Sequence, residues 1–309
     1  MKPLKSREIT GTWATLLLPI NEDESIDFSR LADEIDCLLA TGVDGIYTNG
    51  TAGEFFAQSE DEFDRIHALL AEKCESAGRP FQIGASHMSA QISLSRVRRA
   101  AALKPSAIQI ILPDWVPVSL EEAIAFLQRV AAAAGSVGLV LYNPPHAKRV
   151  LQPADYTRLA AAVPALVGLK VGGEKEWYAD IRRRAPQVSM FVPGHQLATG
   201  YTVGAAGSYS NVACLQPAAA KRWNELMKVS IQAALALEAK IQRFMNDHIL
   251  SFREQRGYSN AALDKLLAAI GAWSNVGTRL RWPYRWIEGS EAKRLRPIAR
   301  HLVPELFEN

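Results

Sequence analysis

The stretch "VGLVLYNPPHAKRVLQPADYTRLAAAVPALVGLKVGG", residues 137–173, decides the fold. Two short apolar runs, 137–145 and 165–171, flank a segment, 152–163, with helical character. Both runs are continuous rather than alternating, as strands covered on both faces of a parallel sheet are. Strand, helix and returning strand form one β-then-α repeat. Lys170 sits inside the second run, although lysine is among the residue types least often fully buried. Either the strand ends there and the amine reaches solvent, or the amine is meant to lose its proton and act as a nucleophile.

The same pattern extends in both directions. Strand-like runs at 11–19, 43–50, 81–86, 106–113, 188–194 and 205–211 alternate with helix-like stretches at 25–42, 59–78, 89–104, 119–134, 176–185 and 195–203. About eight repeats of this kind predict an α/β fold, a (β/α)8 TIM barrel over residues 8–216. Residues 217–309 read as helices only, a C-terminal helical extension. A doubly wound open sheet is the alternative, weakened because no GxGxxG follows the first strand.

Composition narrows the function classes. The 309 residues are 48% hydrophobic and 22% charged, an ordinary globular balance. A net charge of +3 is too small to argue for nucleic acid or membrane as a partner. Cys37, Cys74 and Cys214 show no CxxC or Cys/His metal spacing and read as reduced, packed thiols. "MKPLKSREITG" lacks the apolar core of a secretion signal, so a cytoplasmic protein is expected. No apolar segment approaches membrane-spanning length.

A barrel of this type carries its chemistry at the C-terminal ends of its strands. Alternation along 165–171 turns Leu166, Gly168 and Lys170 into the barrel, and Val167, Leu169 and Val171 toward the helices. Tyr142 ends the preceding strand at the equivalent level, and adjacent strands lie about 4.8 Å apart. Phenol and amine are therefore expected near hydrogen-bonding distance, with Gly168 leaving room beside the lysine. No carboxylate occurs within three residues of Lys170, so burial should lower its pKa. The loop "NGTAGE", 49–54, follows the second strand, and its glycines allow a tight turn that presents N–H groups to an anion.

"GVDGIYTNGTAGEF", "LYNPP" and "VGLKVGG", in that order and at strand ends, resemble the dihydrodipicolinate synthase / N-acetylneuraminate lyase family. The resemblance covers nearly the whole chain. It implies a class I, Schiff-base-forming lyase, an aldolase or dehydratase acting on a 2-keto acid such as pyruvate, with no metal or other cofactor. It implies that Lys170 forms the imine, that Tyr142 relays protons, and that Thr51 and the backbone amides of Thr51 and Ala52 hold the carboxylate. It also implies a homodimer or homotetramer.

Departures from the family pattern point away from the synthase's second substrate. The loop has GTAGE where GTTGE or GSTGE is usual, so Ala52 lacks a hydroxyl. Trp115, in "LPDWVP", stands where synthases carry a tyrosine pair, and its N–H cannot shuttle a proton as a phenol does. Ala147 stands where they carry an arginine for the second substrate. His146, His195, Tyr209 and Trp115 are the remaining candidates for contact with the substrate tail. Condensation of pyruvate with aspartate semialdehyde is the alternative reaction, and a non-catalytic 2-keto acid-binding barrel the alternative of another class.

Overall fold

The computed structural model describes residues 1–308. Eight strands form a closed parallel barrel in chain order: β1 (Gly11–Thr15), β2 (Gly45–Tyr47), β3 (Phe81–Gly84), β4 (Ala107–Ile110), β5 (Leu139–Asn143), β6 (Leu166–Val171), β7 (Ser189–Pro193) and β8 (Gly207–Tyr209). Between and after them run α1 (Phe28–Ala40), α2 (Glu60–Ser76), α3 (Ala90–Ala102), α4 (Leu120–Ala134), α5 (Pro153–Ala162), α6 (Lys175–Arg184), α7 (Leu197–Tyr201) and α8 (Asn211–Leu215). The helical extension adds α9 (Pro217–Val229), α10 (Ile231–Phe244), α11 (Leu250–Glu254), α12 (Asn260–Gly271) and α13 (Gly289–Leu302). The TIM barrel expected from the alternation is thus the fold. No helix among the described residues is long and apolar enough to cross a membrane.

Local chemistry sets the helix starts. Ser59 caps α2 and Ser119 caps α4, each in a reciprocal capping box with the glutamate three residues on. The strands are shorter than the apolar runs that announced them, because several residues at each run's end belong to loops over the barrel mouth.

Apolar residues pack chiefly in two places. One cluster fills the space between strands and helices; a second, with Trp13, Tyr47, Val140, Phe191 and Tyr209, fills the barrel interior. Strand β6 departs from the expected alternation. Its register with β5 jumps from Leu139↔Leu166 to Val140↔Gly168, a bulge that leaves Val167 unpaired. Leu166 therefore joins the outer cluster, and Val167 packs against the inner one, the reverse of the simple pattern. Beyond the bulge the pairing Tyr142↔Lys170 holds, as read from the sequence.

The extension is seated on the barrel. Ala268 of α12 clusters with Leu17 and with Ala52 of the GTAGE loop. One turn earlier, Lys265 pairs with Glu54 at 2.6 Å, both wholly buried, and donates to the Arg279 carbonyl at 2.6 Å.

Candidate active site

The GTAGE loop is built by a left-handed residue at each end, Asn49 (φ 51°) and Glu54 (φ 52°). The Asn49 and Gln58 carboxamides exchange hydrogen bonds at 2.9 and 3.0 Å, and Gln58 also donates to the Gly53 carbonyl at 2.8 Å. Gly53 is required by close approach: a Cβ there would stand 2.8 Å from the Asn49 nitrogen. Within this staple the Thr51 and Ala52 amides donate to no backbone carbonyl among the described residues. Ala52 is buried, and Thr51 is half-buried at the cleft.

Lys170 points into a nest of rings. Its Nζ lies 4.2 Å from the Tyr142 ring centre, 4.9 Å from Tyr47 and 5.2 Å from Tyr209. Desolvation pushes the amine's pKa down to about 8, while the carboxylate of Asp264 pulls the other way. At pH 7 roughly a tenth of such amines are neutral, against roughly one in three thousand for an ordinary lysine. Burial raises the pKa of the Tyr142 phenol, and the Thr51 hydroxyl beside it opposes that shift. Thr51, Tyr142, Phe55, Leu112, His146 and Arg149 line one cleft holding about 100 Å³ of accessible space.

The structure brings together Lys170, Tyr142, Thr51 and, at the exposed rim, His146. Tyr209 lies within the barrel, with its ring toward the amine and its phenol donating to Gln82 Oε1 at 2.6 Å. His195 is bound away at the ends of β7 and β8, its Nδ1 lying 2.9 Å from the Asn211 carboxamide nitrogen. Burial lowers its pKa, against the pull of the Asn211 contact. Trp115 is 72% exposed outside the cleft; the Lys148 amine sits 4.5 Å over its ring and donates to its carbonyl at 2.8 Å. Gly168 serves a different purpose from the one expected. A Cβ there would meet Val140 at 3.0 Å, so this glycine accommodates interior packing. The space beside the amine comes from Gly50, where a Cβ would stand 3.5 Å from Nζ.

Sequence reasoning missed Asp264. The charge of this aspartate on α12 bears on the Lys170 amine and raises its pKa against the effect of burial. Burial pushes its carboxyl up to about 7, opposed by the Lys170 ammonium and the Cys214 contact. The signal was present in "NAALDKLLAAIG", where two adjacent charges interrupt an otherwise apolar helix.

The sequence profile of the dihydrodipicolinate synthetase family matches residues 8–301. An N-acetylneuraminate lyase of Escherichia coli O1:K1 is 26% identical over 204 residues, 64% of this chain and 67% of its own length. Two solved structures share the fold at lower identity. A Ruminococcus gnavus sialic acid aldolase, a catalytic lysine mutant, superposes with a TM-score of 0.84 at 18% identity, covering 99% of this chain and 100% of its own. YagE of E. coli K12, solved with pyruvate, does so at 0.82 and 19%, covering 95% and 98%. With a profile match over nearly its whole length, the chain belongs to the dihydrodipicolinate synthetase family.

Proposed function

We propose that this lyase works as a pyruvate-type class I aldolase or dehydratase in which Lys170 forms a Schiff base with a 2-keto acid. The observation that carries this reading is the Lys170 amine itself: desolvated among three tyrosine rings, with a pKa near 8, beside a loop of free amides. A neutral amine attacks the keto carbon, and the protonated imine then withdraws electrons from the neighbouring carbon. Cleavage, condensation and loss of water all proceed from that intermediate. In this reading Tyr142 moves protons at the reacting centre, and Thr51 with the Thr51 and Ala52 amides takes the carboxylate. Ala147 and Trp115 weigh against aspartate semialdehyde as a second substrate. His146 at the cleft rim is the candidate for contact with the substrate tail. The working form in this reading is a homodimer or homotetramer.

The test is reduction with borohydride in the presence of pyruvate, followed by peptide mass mapping. The expected product is an irreversible adduct on Lys170, absent from Lys170→Ala. Intact protein that gains no mass refutes the reading and favours a barrel that binds without covalent chemistry.

A further inference from the structure

Side chains from alternate strands of such a barrel pack in layers of four. Here the layer at the level of the amine comes from the even strands: Tyr47 on β2, Gln109 on β4, Lys170 on β6 and Tyr209 on β8. Tyr47 and Tyr209 meet edge to face at 4.8 Å, and both rings face the amine. The Tyr209 phenol is committed to Gln82. Gln109 is fully buried, yet neither its Oε1 nor its Nε2 has a hydrogen-bond partner among the described residues. An unpartnered carboxamide in a barrel interior costs about 1–3 kcal/mol, so an apolar residue there would be the more stable choice. The position over Gly50 where a Cβ would stand lies 3.5 Å from Lys170 Nζ and 3.7 Å from Gln109 Nε2. The nucleophile and this donor therefore border the same small space, next to the loop assigned to the carboxylate.

We propose that Gln109 is a catalytic residue of the imine step, its carboxamide N–H donating to the substrate's keto oxygen as that oxygen becomes a hydroxyl and then leaves as water. The proposal rests on the Schiff-base reading above. In the step, the Nζ lone pair forms the N–C bond while the C=O π pair moves to oxygen. The oxygen takes a proton that the nitrogen gives up, and a carbinolamine results. A second proton lets the C–O bond break; water departs, and the nitrogen lone pair closes the protonated C=N bond. Overall, amine, ketone and one proton give the protonated imine and water. Negative charge grows on the oxygen during attack, and a fixed donor inside a dry barrel stabilises that charge more than it stabilises the ketone. After attack the carbinolamine oxygen is bonded to the same carbon as Nζ, which keeps it in the space that Gln109 borders.

The experiment follows adduct formation with pyruvate under cyanoborohydride by rapid quench and mass spectrometry, in wild type, in Gln109→Met, which keeps shape without the donor, and in Gln109→His, which keeps a donor. The expected result is a rate constant at saturating pyruvate about 10²-fold lower in Gln109→Met, with the half-saturating concentration nearly unchanged and the rate partly restored in Gln109→His. A merely structural glutamine would change melting temperature or the fraction of reactive sites and leave the rate constant per reactive site alone. Gln109→Leu replaces the methionine variant if that one does not fold. A donorless variant reacting within about twofold of wild type overturns the proposal, because a lost donor of this kind costs far more. Wild type that forms no adduct refutes the Schiff-base reading itself.

Discussion

Residue 50 shows how little space separates a working amine from a blocked one. A Cβ on Gly50 would stand 3.0 Å from Tyr47 Cε2 and 3.5 Å from Lys170 Nζ, in the volume the keto carbon enters in the proposed reaction. Gly50 carries no positive φ, so Gly50→Ala tests space and not backbone strain. The expected outcome is a fold stable to within about 1 kcal/mol and pyruvate trapping slowed at least about tenfold, since small misplacements of reacting groups are costly. Trapping at the wild-type rate would show that the substrate approaches from elsewhere. That Lys170, Tyr142 and Thr51 come together was legible in the sequence, because each occupies a strand end or a Gly-rich turn that can be recognised locally. Gly50 and Gln109 were not legible. The roles proposed for them depend on which strands share an interior layer, and that follows from barrel closure between residues about sixty apart.

At the scale of elements, α12 is where the reading from sequence stopped short. The helix itself was recognisable as an apolar stretch, but its partner surface was not, since α12 meets the barrel more than two hundred residues after the GTAGE loop. Two adjacent residues on it do different things. Lys265 is buried against Glu54, and breaking such a pair costs about 3–5 kcal/mol because one charge is left stranded. Asp264 carries a charge that raises the Lys170 pKa against the effect of burial. The sign follows from the charges: a carboxylate favours the ammonium, so removing it favours the free amine. The groups bearing on Asp264 are Lys170 from β6 and Cys214 from α8, while Tyr142 and Tyr47 feel its charge from β5 and β2. In wild type the rate of adduct formation should rise with pH through a midpoint near 8 and fall away below it. Asp264→Asn should move that midpoint to lower pH and preserve reactivity where wild type loses it. An unmoved midpoint would separate Asp264 from the amine. The bulge at Val167 was hidden for a related reason: a bulge is written in the pairing of two strands and leaves no mark in the alternation of one.

For the whole molecule, the barrel topology was the most legible feature, since eight repeats of one pattern reinforce one another where single helix ends do not. Assembly is a separate matter. Trp115 and Val116 stand side by side on the β4–α4 loop, 72% and 69% exposed in the single chain. Large apolar groups exposed together commonly mark a contact surface. A homodimer that buries them should have twice the 33.9 kDa chain mass by light scattering, and Trp115→Glu should shift the population toward that single-chain mass. Wild type running as a single chain at micromolar concentration would refute the oligomeric reading.

The ion pair between Glu54 and Lys265 also sets an order of events during synthesis. A ribosome that has delivered the first 216 residues has supplied every strand and the whole GTAGE loop. At that moment the Glu54 carboxylate has no countercharge, and Asp264 has not been made. All eight strands are therefore in hand before the helix that locks the loop and bears on the amine. Before α12 is made, the amine lacks the carboxylate that holds its proton, so that helix restrains the lysine as well as locking the loop beside it.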